Sequence, residues 1–338
     1  MSCLICGGNA TRPVVRAPDF EYQCRPGEWS LVECTGCGHV FVDPLPAVEE
    51  VPALYPPGYY TVNPGSPIYM EGAVVEAKMV KDAEQLRRRL GTRPIRSVVD
   101  IGGGNLTRLI KLREVFEREG GGPVAAACLD LQFDAAVRQQ AEAAGLRCVL
   151  GNVETDLEAL PDGGQDLIVM RQLLEHLRDP RAALRQLHRK LSPHGVLVID
   201  TPNRGGWDYR LFRRRYWGGY HIPRHFHLFD LASLARLLRE TGYAIEAQGC
   251  TPSIAFWIIS FRNALGLNSL ARGSSLAEFL NLKNLPVVGG FFVLDLIWSK
   301  LGGQTSNQFA LAIRADAAGP SRPGVPSAAP GKDPAPGP

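Results

Sequence analysis

Val98-Val99-Asp100-Ile101-Gly102-Gly103-Gly104-Asn105-Leu106 is an apolar run that ends on three glycines just before an amphipathic stretch opens. It reads as a strand, a tight turn and the start of a helix. Such a turn lets a ligand come close to the backbone, because glycine has no Cβ and tolerates positive φ. No Gly-Lys-Ser/Thr follows, which argues against a phosphate-cradling loop, and the Gly-x-Gly-x-x-Gly dinucleotide fingerprint is not completed. Asp100 stands just before the glycines. A pyrophosphate would be repelled there, whereas a cationic amino-acid head would be held.

Outward from this turn, short apolar runs alternate with amphipathic stretches. Downstream come a helix from about Leu106, the run PVAAACLD, a helix from about Phe133, LRCVL, DLIVM, a helix from about Pro180, and GVLVID. Strands alternating with helices imply a doubly wound, mostly parallel sheet with helices on both faces. Upstream, a helix over about Glu71 to Leu90 stops at Gly91, with Pro94 just beyond. After Asp200 a loop rich in arginine and histidine leads to a helix with Asp230 as N-cap, closing near Gly242, and then to the strand YAIEAQ. Two strongly apolar stretches, 254–261 and 285–298, fall in an expected helical insertion at about 251–306, before the last strand QFALAIRA. Residues 315–338 hold seven prolines, a composition that cannot bury a core, and are expected to be a disordered tail.

The segment from Ile95 to Gln248 resembles the class I S-adenosylmethionine methyltransferases. Beyond the glycine turn, the resemblance rests on Leu174-Glu175-His176 after the fourth strand and Thr201-Pro202-Asn203 after the fifth. Between them Leu191-Ser192-Pro193-His194-Gly195 matches the Leu-Lys-Pro-Gly-Gly turn of that family except at Ser192 and His194, and Leu106 replaces the third glycine of the first motif. The resemblance implies a Rossmann-like, seven-stranded sheet. It further implies that Asp100, Gly102, Gly103 and Gly104 lie against the methionine part of S-adenosylmethionine, and that Asp130, with Leu131 beside it, takes the ribose hydroxyls. Asn152 and Val153 would meet the adenine, and Arg171 would contact the cofactor through its backbone.

Cys3-x-x-Cys6 and Cys34-x-x-Cys37 form two knuckles separated by 27 residues. Four thiolates so spaced satisfy tetrahedral zinc, and a four-sulfur site leaves no open position, so this zinc is expected to be structural. The module spans 1–45, with residues 46–94 as a linker plus the first helix, and 95–314 as the methyltransferase domain. Losing Cys34 should unfold the module while the core domain survives. Tyr55, Tyr59 and Tyr60 in the linker are too apolar to dangle. Cys24, Cys128, Cys148 and Cys250 sit singly and read as packing residues. A paired-cysteine module, a tyrosine-bearing linker and this core together are similar in layout to sugar C-methyltransferases, up to the apolar insertion.

Methyl transfer from a sulfonium needs alignment of the acceptor, and a base if a proton must leave. Gly219-Tyr220-His221-Ile222-Pro223-Arg224-His225-Phe226-His227 follows the fifth strand and should overhang the cofactor. His225 is the first candidate base, then His221 and His176, with two of the three loop histidines structural. In a solvated loop such an imidazole titrates near about 6.5, so activity should fall at lower pH. A second metal site competes with this, weakened by the lack of a nearby acidic ligand. Arg204, Arg210, Arg213, Arg214, Arg215 and Arg224 crowd the same region, either as a solvated face or as a phosphate grip, with Arg224 placed to hold an anionic acceptor.

The 338 residues are 45% hydrophobic and 21% charged with a net charge of +3, which suits a soluble enzyme and gives no global field for nucleic acid. No secretory pattern opens the sequence, so a cytoplasmic protein is expected. The leading expectation is a methyltransferase of a small molecule, preferably a sugar or a nucleotide- or lipid-linked glycan. A phenolic or lipid-like acceptor is the alternative, followed by a nucleic-acid methyltransferase or a non-catalytic binding protein. Stretches 254–261 and 285–298 are too short to span a bilayer and suit core, an acceptor pocket, a dimer interface or a peripheral membrane contact.

Overall fold

A computed structural model describes residues 2–56, 59, 66–104, 106–155, 157–267 and 275–317. Asn105, Tyr60 and the tail beyond 317 lie outside the described residues. The N-terminal segment forms three strands, β1 (Thr11–Ala17), β2 (Trp29–Cys34) and β3 (Val40–Val42), followed by a 3-10 turn at Val48–Leu54. Helix α1 (Ala73–Leu90) leads into β4 (Ser97–Ile101), α2 (Thr107–Gly120), β5 (Ala125–Asp130), α3 (Ala135–Ala143), β6 (Arg147–Leu150) and β7 (Gln165–Arg171). A 3-10 turn at Leu174–His176 precedes α4 (Pro180–Lys190), β8 (Leu191–Pro202), α5 (Trp207–Phe212), β9 (His227–Leu228), α6 (Leu231–Glu240) and β10 (Tyr243–Thr251). The insertion is helical, with α7 (Ile254–Ala264), α8 (Ser275–Phe279) and α9 (Leu285–Lys300), and β11 (Asn307–Arg314) closes the domain.

Seven strands form the main sheet in the order β10-β11-β8-β7-β4-β5-β6. Pairings from β8 through β7, β4 and β5 to β6 are parallel, and β11 runs antiparallel between β8 and β10. The chain winds from β4 outward in one direction and resumes from β7 in the other, so the boundary of β4 and β7 is the switch point where such sheets bind ligands. Strand β4 is buried on both faces after Ser97, which explains its unbroken apolar run. One face carries Val99, Ile101, Met170 and Ile199 against α4 and α6, and the other carries Val98, Val169, Val198 and Leu311 against α1 and α2.

Local chemistry sets the helix starts where sequence periodicity placed them a residue or two early. Asp134 caps α3 by accepting from the Val137 amide at 2.7 Å, so that helix begins at Ala135 rather than Phe133. Gly72, at φ +92°, moves the start of α1 to Ala73. Asp230 caps α6 as expected, in a reciprocal box with Ser233.

A second sheet, β1-β2-β3-β9, was not legible in the sequence. Its last strand comes from the histidine loop, with Phe41 opposite His227 and Val40 opposite Leu228. The N-terminal segment is therefore stitched to the methyltransferase core, and Cys3, Ile5, Cys34 and Phe41 share one buried cluster with Leu184, Leu187 and Leu237.

In the insertion, α7 buries Phe256, Trp257, Ile258 and Ile259, so the 254–261 stretch is mostly core. Helix α9 is anchored through Asp295, which accepts from the indoles of Trp207 at 2.8 Å and Trp257 at 3.1 Å. Its Phe292, Val293, Leu296 and Ile297 are exposed. Among the described residues no helix is long and apolar enough to cross a membrane.

Asp208 in α5 is fully buried and accepts from the Trp217 indole at 2.6 Å. Burial, with Asp295 nearby, pushes its carboxyl up to about 6 against the opposing pull of that indole. The fold thus binds this proton more tightly than the unfolded chain. The stabilisation is full below the unfolded value near 4 and is lost as pH rises through about 6. We predict that Asp208→Asn, which keeps the indole's acceptor, gains melting temperature relative to wild type as pH rises from about 4 to 7. A difference that stays flat across paired melts in that range would show that Asp208 ionises as freely folded as unfolded.

Candidate functional site

The glycine turn sits at the switch point and is shaped by contact. Gly102 and Gly104 have φ of +69° and +58°. A Cβ on Gly103 would come within 2.8 Å of Asp100 Oδ2 and 3.0 Å of Cys128 Sγ, so only glycine lets the turn lie this close to the strand end. Asp100 is 1% exposed and its Oδ1 has no hydrogen-bond partner. Burial raises its carboxyl above the ordinary carboxylate range, opposed by Arg108 and Arg171. An unpaired buried carboxylate oxygen is costly, and the cationic amine of an amino-acid moiety is a group that could satisfy it.

Asp130 ends β5 on the neighbouring strand. Its Oδ1 accepts from the Leu131 amide at 2.7 Å and its Oδ2 from the Gly104 amide at 3.2 Å. Two backbone amides fix the carboxylate and leave lone pairs for ribose hydroxyls. Leu131 is exposed at the rim, Val153 is buried, and Asn152 Oδ1 accepts from the Glu154 amide at 2.9 Å. These residues, with the glycine turn, fit an S-adenosylmethionine laid across the ends of β4, β5 and β6. The Arg171 side chain turns instead to Asp200, donating from Nε at 3.1 Å and Nη2 at 2.9 Å. Both line a cavity of about 130 Å³ beneath α1 with Asp82, Arg108 and Phe309.

Leu173 packs over Gly102, and the chain then turns at Leu174–His176 into a cluster of histidines. Ring centroids of His176 and His225 lie 4.6 Å apart, and those of His221 and His225 lie 4.9 Å apart. The loop is not solvated, which corrects the expectation for these imidazoles. His221 and His225 are each 4% exposed, and His176 is half-buried. Burial, with His221 nearby, drives His176 down to about 3; burial and the neighbouring His176 and His221 hold His225 well below the ordinary histidine range. Both are neutral at physiological pH, so the expected loss of activity near 6.5 does not arise from them.

The cover comes from the N-terminal segment and the linker. Glu21 Oε1 meets His221 Nδ1 at 2.7 Å, and the Tyr59 hydroxyl meets His221 Nε2 at 2.9 Å. The Tyr55 hydroxyl meets His176 Nδ1 at 3.0 Å. His225 Nδ1 is held by the Gly219 carbonyl at 2.8 Å. His221 itself has φ +39°, a left-handed conformation that a non-glycine residue keeps only where its surroundings enforce it. His227 is structural: it lies in β9, 3.0 Å from the ring of His39.

Arg224 does not face an acceptor. It is fully buried, gives two hydrogen bonds to the Asp19 carboxylate at 2.6 and 3.1 Å and donates from Nε to the Leu54 carbonyl. Arg204 pairs with Asp230 and Arg215 with Glu28, while Arg210, Arg213 and Arg214 are exposed. The arginine run is thus partly a set of ties and partly a solvated face. Sequence reasoning missed Glu21 and Asp19, which carry no local signal, and quoted Glu175 without giving it a role. Glu175 is fully buried, with Oε2 accepting from the Thr201 hydroxyl at 2.8 Å.

Cys3, Cys6, Cys34 and Cys37 bring their sulfurs within 4.8 Å of one another. Cys3 and Cys37 are 3.5 Å apart, and Cys6 and Cys34 are 3.4 Å apart. The two knuckles repeat one turn: the Gly7 amide donates to the Cys3 carbonyl and the Gly38 amide to the Cys34 carbonyl, each glycine at φ +74°. Zinc–sulfur bonds of about 2.3 Å place tetrahedral sulfurs about 3.8 Å apart, so this set fits zinc with a slight expansion.

Residues 75–248, just over half of the chain, match the family model of the methyltransferase domain. The tRNA 5-carboxymethoxyuridine methyltransferase of Escherichia coli is 30% identical over 143 residues, 40% of this chain and 51% of that protein. The ubiquinone biosynthesis O-methyltransferase of Ruegeria pomeroyi is 33% identical over 135 residues, 38% of this chain and 51% of that protein. The chain spans about half or less of the length of the curated relatives it matches. The crystal structure of an S-adenosylmethionine-dependent methyltransferase from Archaeoglobus fulgidus is similar at 17% identity and a TM-score of 0.41, covering 71% of this chain and 97% of that one. The strand order, the glycine turn between Asp100 and Asp130, and the matched family model agree: this chain belongs to the class I S-adenosylmethionine-dependent methyltransferase domain family.

Proposed function

We propose that this chain transfers the methyl group of S-adenosylmethionine to a small molecule rich in hydroxyls, preferably a sugar or a nucleotide- or lipid-linked glycan. The observation that carries the cofactor half is Asp100, a buried carboxylate with an unpartnered oxygen under the glycine turn, with Asp130 at the end of the adjacent strand. S-adenosylmethionine, when bound, supplies a methyl on a sulfonium. For the acceptor half, the phenols and imidazoles gathered beneath the N-terminal cover suit an uncharged polar molecule that can hydrogen-bond to them. The Escherichia coli relative is named for a tRNA nucleotide, whereas this cover favours a free small molecule or the tip of a longer one.

Glu21, His221 and Tyr59 form a chain of carboxylate, imidazole and phenol through contacts of 2.7 and 2.9 Å. With His221 Nδ1–H donating to Glu21, the phenol donates to Nε2. As the acceptor oxygen or carbon loses its proton to the phenol oxygen, the phenol's own proton passes to Nε2, and Glu21 stabilises the resulting imidazolium. This assigns the base role to the His221 relay in preference to His225, whose ring faces Glu175. The four cysteines hold one structural zinc in this proposal, since a saturated four-thiolate site offers no open position.

Asp130→Ala is predicted to weaken S-adenosylmethionine binding by about 1.5–3 kcal/mol, the range for hydrogen bonds to a charged group. Calorimetric affinity equal to wild type would remove Asp130 from the cofactor site, and with it the strand-end arrangement proposed.

A further inference from the structure

Three side chains outside the proposed relay converge beside it. Glu175, His176 and His225 each bring one ligand atom within 4.8 Å of the other two. His225 Nε2 stands 4.0 Å from Glu175 Oε1, and the His176 and His225 rings meet nearly at right angles. Each imidazole is held from behind through Nδ1: His225 by the Gly219 carbonyl at 2.8 Å, His176 by the Arg224 carbonyl at 3.1 Å, a nitrogen it shares with the Tyr55 hydroxyl. Donation from Nδ1–H to a carbonyl leaves the lone pair on Nε2, the tautomer and support found behind metal-ligating histidines. Glu175 is fully buried, and while Oε2 takes the Thr201 hydroxyl, Oε1 has no hydrogen-bond partner. The sequence argued against a metal among these histidines for want of an acidic ligand; the 3-10 turn supplies one, a residue before His176. Arg224, the cation nearest by chain, is already neutralised by Asp19.

We propose that Glu175, His176 and His225 bind one divalent cation through two imidazole nitrogens and one carboxylate oxygen. Ligands on one such ion at about 2.1 Å stand roughly 3.0–3.5 Å apart, so the 4.0 Å spacing closes by less than about 1 Å on binding. Nitrogen and oxygen donors in this mixture suit manganese, iron or zinc, unlike the four-sulfur cluster. Three protein ligands leave positions open. Resting on the methyl-transfer reading, those positions take acceptor oxygens, which narrows the acceptor to molecules that chelate through neutral oxygens, such as a vicinal diol.

The test needs neither cofactor nor acceptor, so it separates this site from the activity proposed above. Full-length wild type, Glu175→Gln and His176→Gln are dialysed against Mn(II), with free Mn(II) followed by paramagnetic resonance and bound metals counted by elemental analysis. Wild type is expected to hold one metal ion more per chain than either variant at free Mn(II) up to about 1 mM. Because the comparison is a difference, it is independent of what the cysteine cluster holds. Glu175→Gln keeps an acceptor for Thr201; should it fail to fold, His176→Gln, at a half-buried position, decides alone. Equal metal content in wild type and every folded variant overturns the proposal.

Discussion

Cys34→Ser is expected to lower the melting temperature of the whole chain by roughly 10 °C or more, the largest change predicted for a single substitution. A structural zinc returns about 10 kcal/mol or more to folding, and for a chain of this size each kcal/mol moves the melt by roughly 1–2 °C. The sequence suggested that the module would unfold alone and leave the core standing. The packing argues for a shared transition: Cys34 is fully buried in the cluster that holds Leu184, Leu187 and Leu237, and β3 pairs with β9 from the histidine loop. Thermal melts and elemental analysis on the same samples check this. Wild type should carry a metal ion at the cysteines that the variant loses, and the melt should fall with it. A variant that lacks the metal and melts like wild type would show that the cysteines only pack.

For His221→Ala, we expect turnover to fall by roughly 10²- to 10⁴-fold while S-adenosylmethionine affinity stays as in wild type. The relay is broken at its centre, and no cofactor contact is assigned to this residue. Truncation also leaves Glu21 buried without its imidazole, so a fall in stability must be separated from a fall in rate. Tyr59→Phe makes that separation, because it removes one hydroxyl from the same chain and keeps the ring. It should lower turnover comparably, with little change in melting, and the double variant should cost hardly more than either single one. The assay follows S-adenosylhomocysteine release over a panel of sugar nucleotides and glycolipids. Near-normal rates in both single variants would show that methyl transfer here proceeds by alignment without this base.

The parallel sheet was legible because its central strands β4, β7 and the second half of β8 are buried on both faces and so appear as unbroken apolar runs. Asp100, the glycines and Asp130 were legible because they sit at the ends of those runs. The enclosure of the histidines was not. Their loop is rich in glycine and arginine, which reads as solvated, and its cover comes from residues about 200 positions earlier: Glu21 on His221, and Asp19 on Arg224. Nothing local marks either carboxylate as a partner. Strand β9 was missed for a related reason, since two residues carry no period and only pairing with β3 makes them a strand. Glu175 was visible beside His176, but its approach to His225 exists only in the fold.

The joining of β3 to β9 also fixes when the N-terminal sheet can be finished. His39 and His227 are 188 residues apart, so while the chain is being made the sheet stays one strand short through the synthesis of most of the methyltransferase domain. For that interval β3 presents an open edge, the kind of surface that recruits stray strands. N-terminal units usually fold first on the ribosome. Here an earlier segment waits for a later one, and its cysteine knuckles, each closed by a turn of its own, are the parts able to form in the meantime.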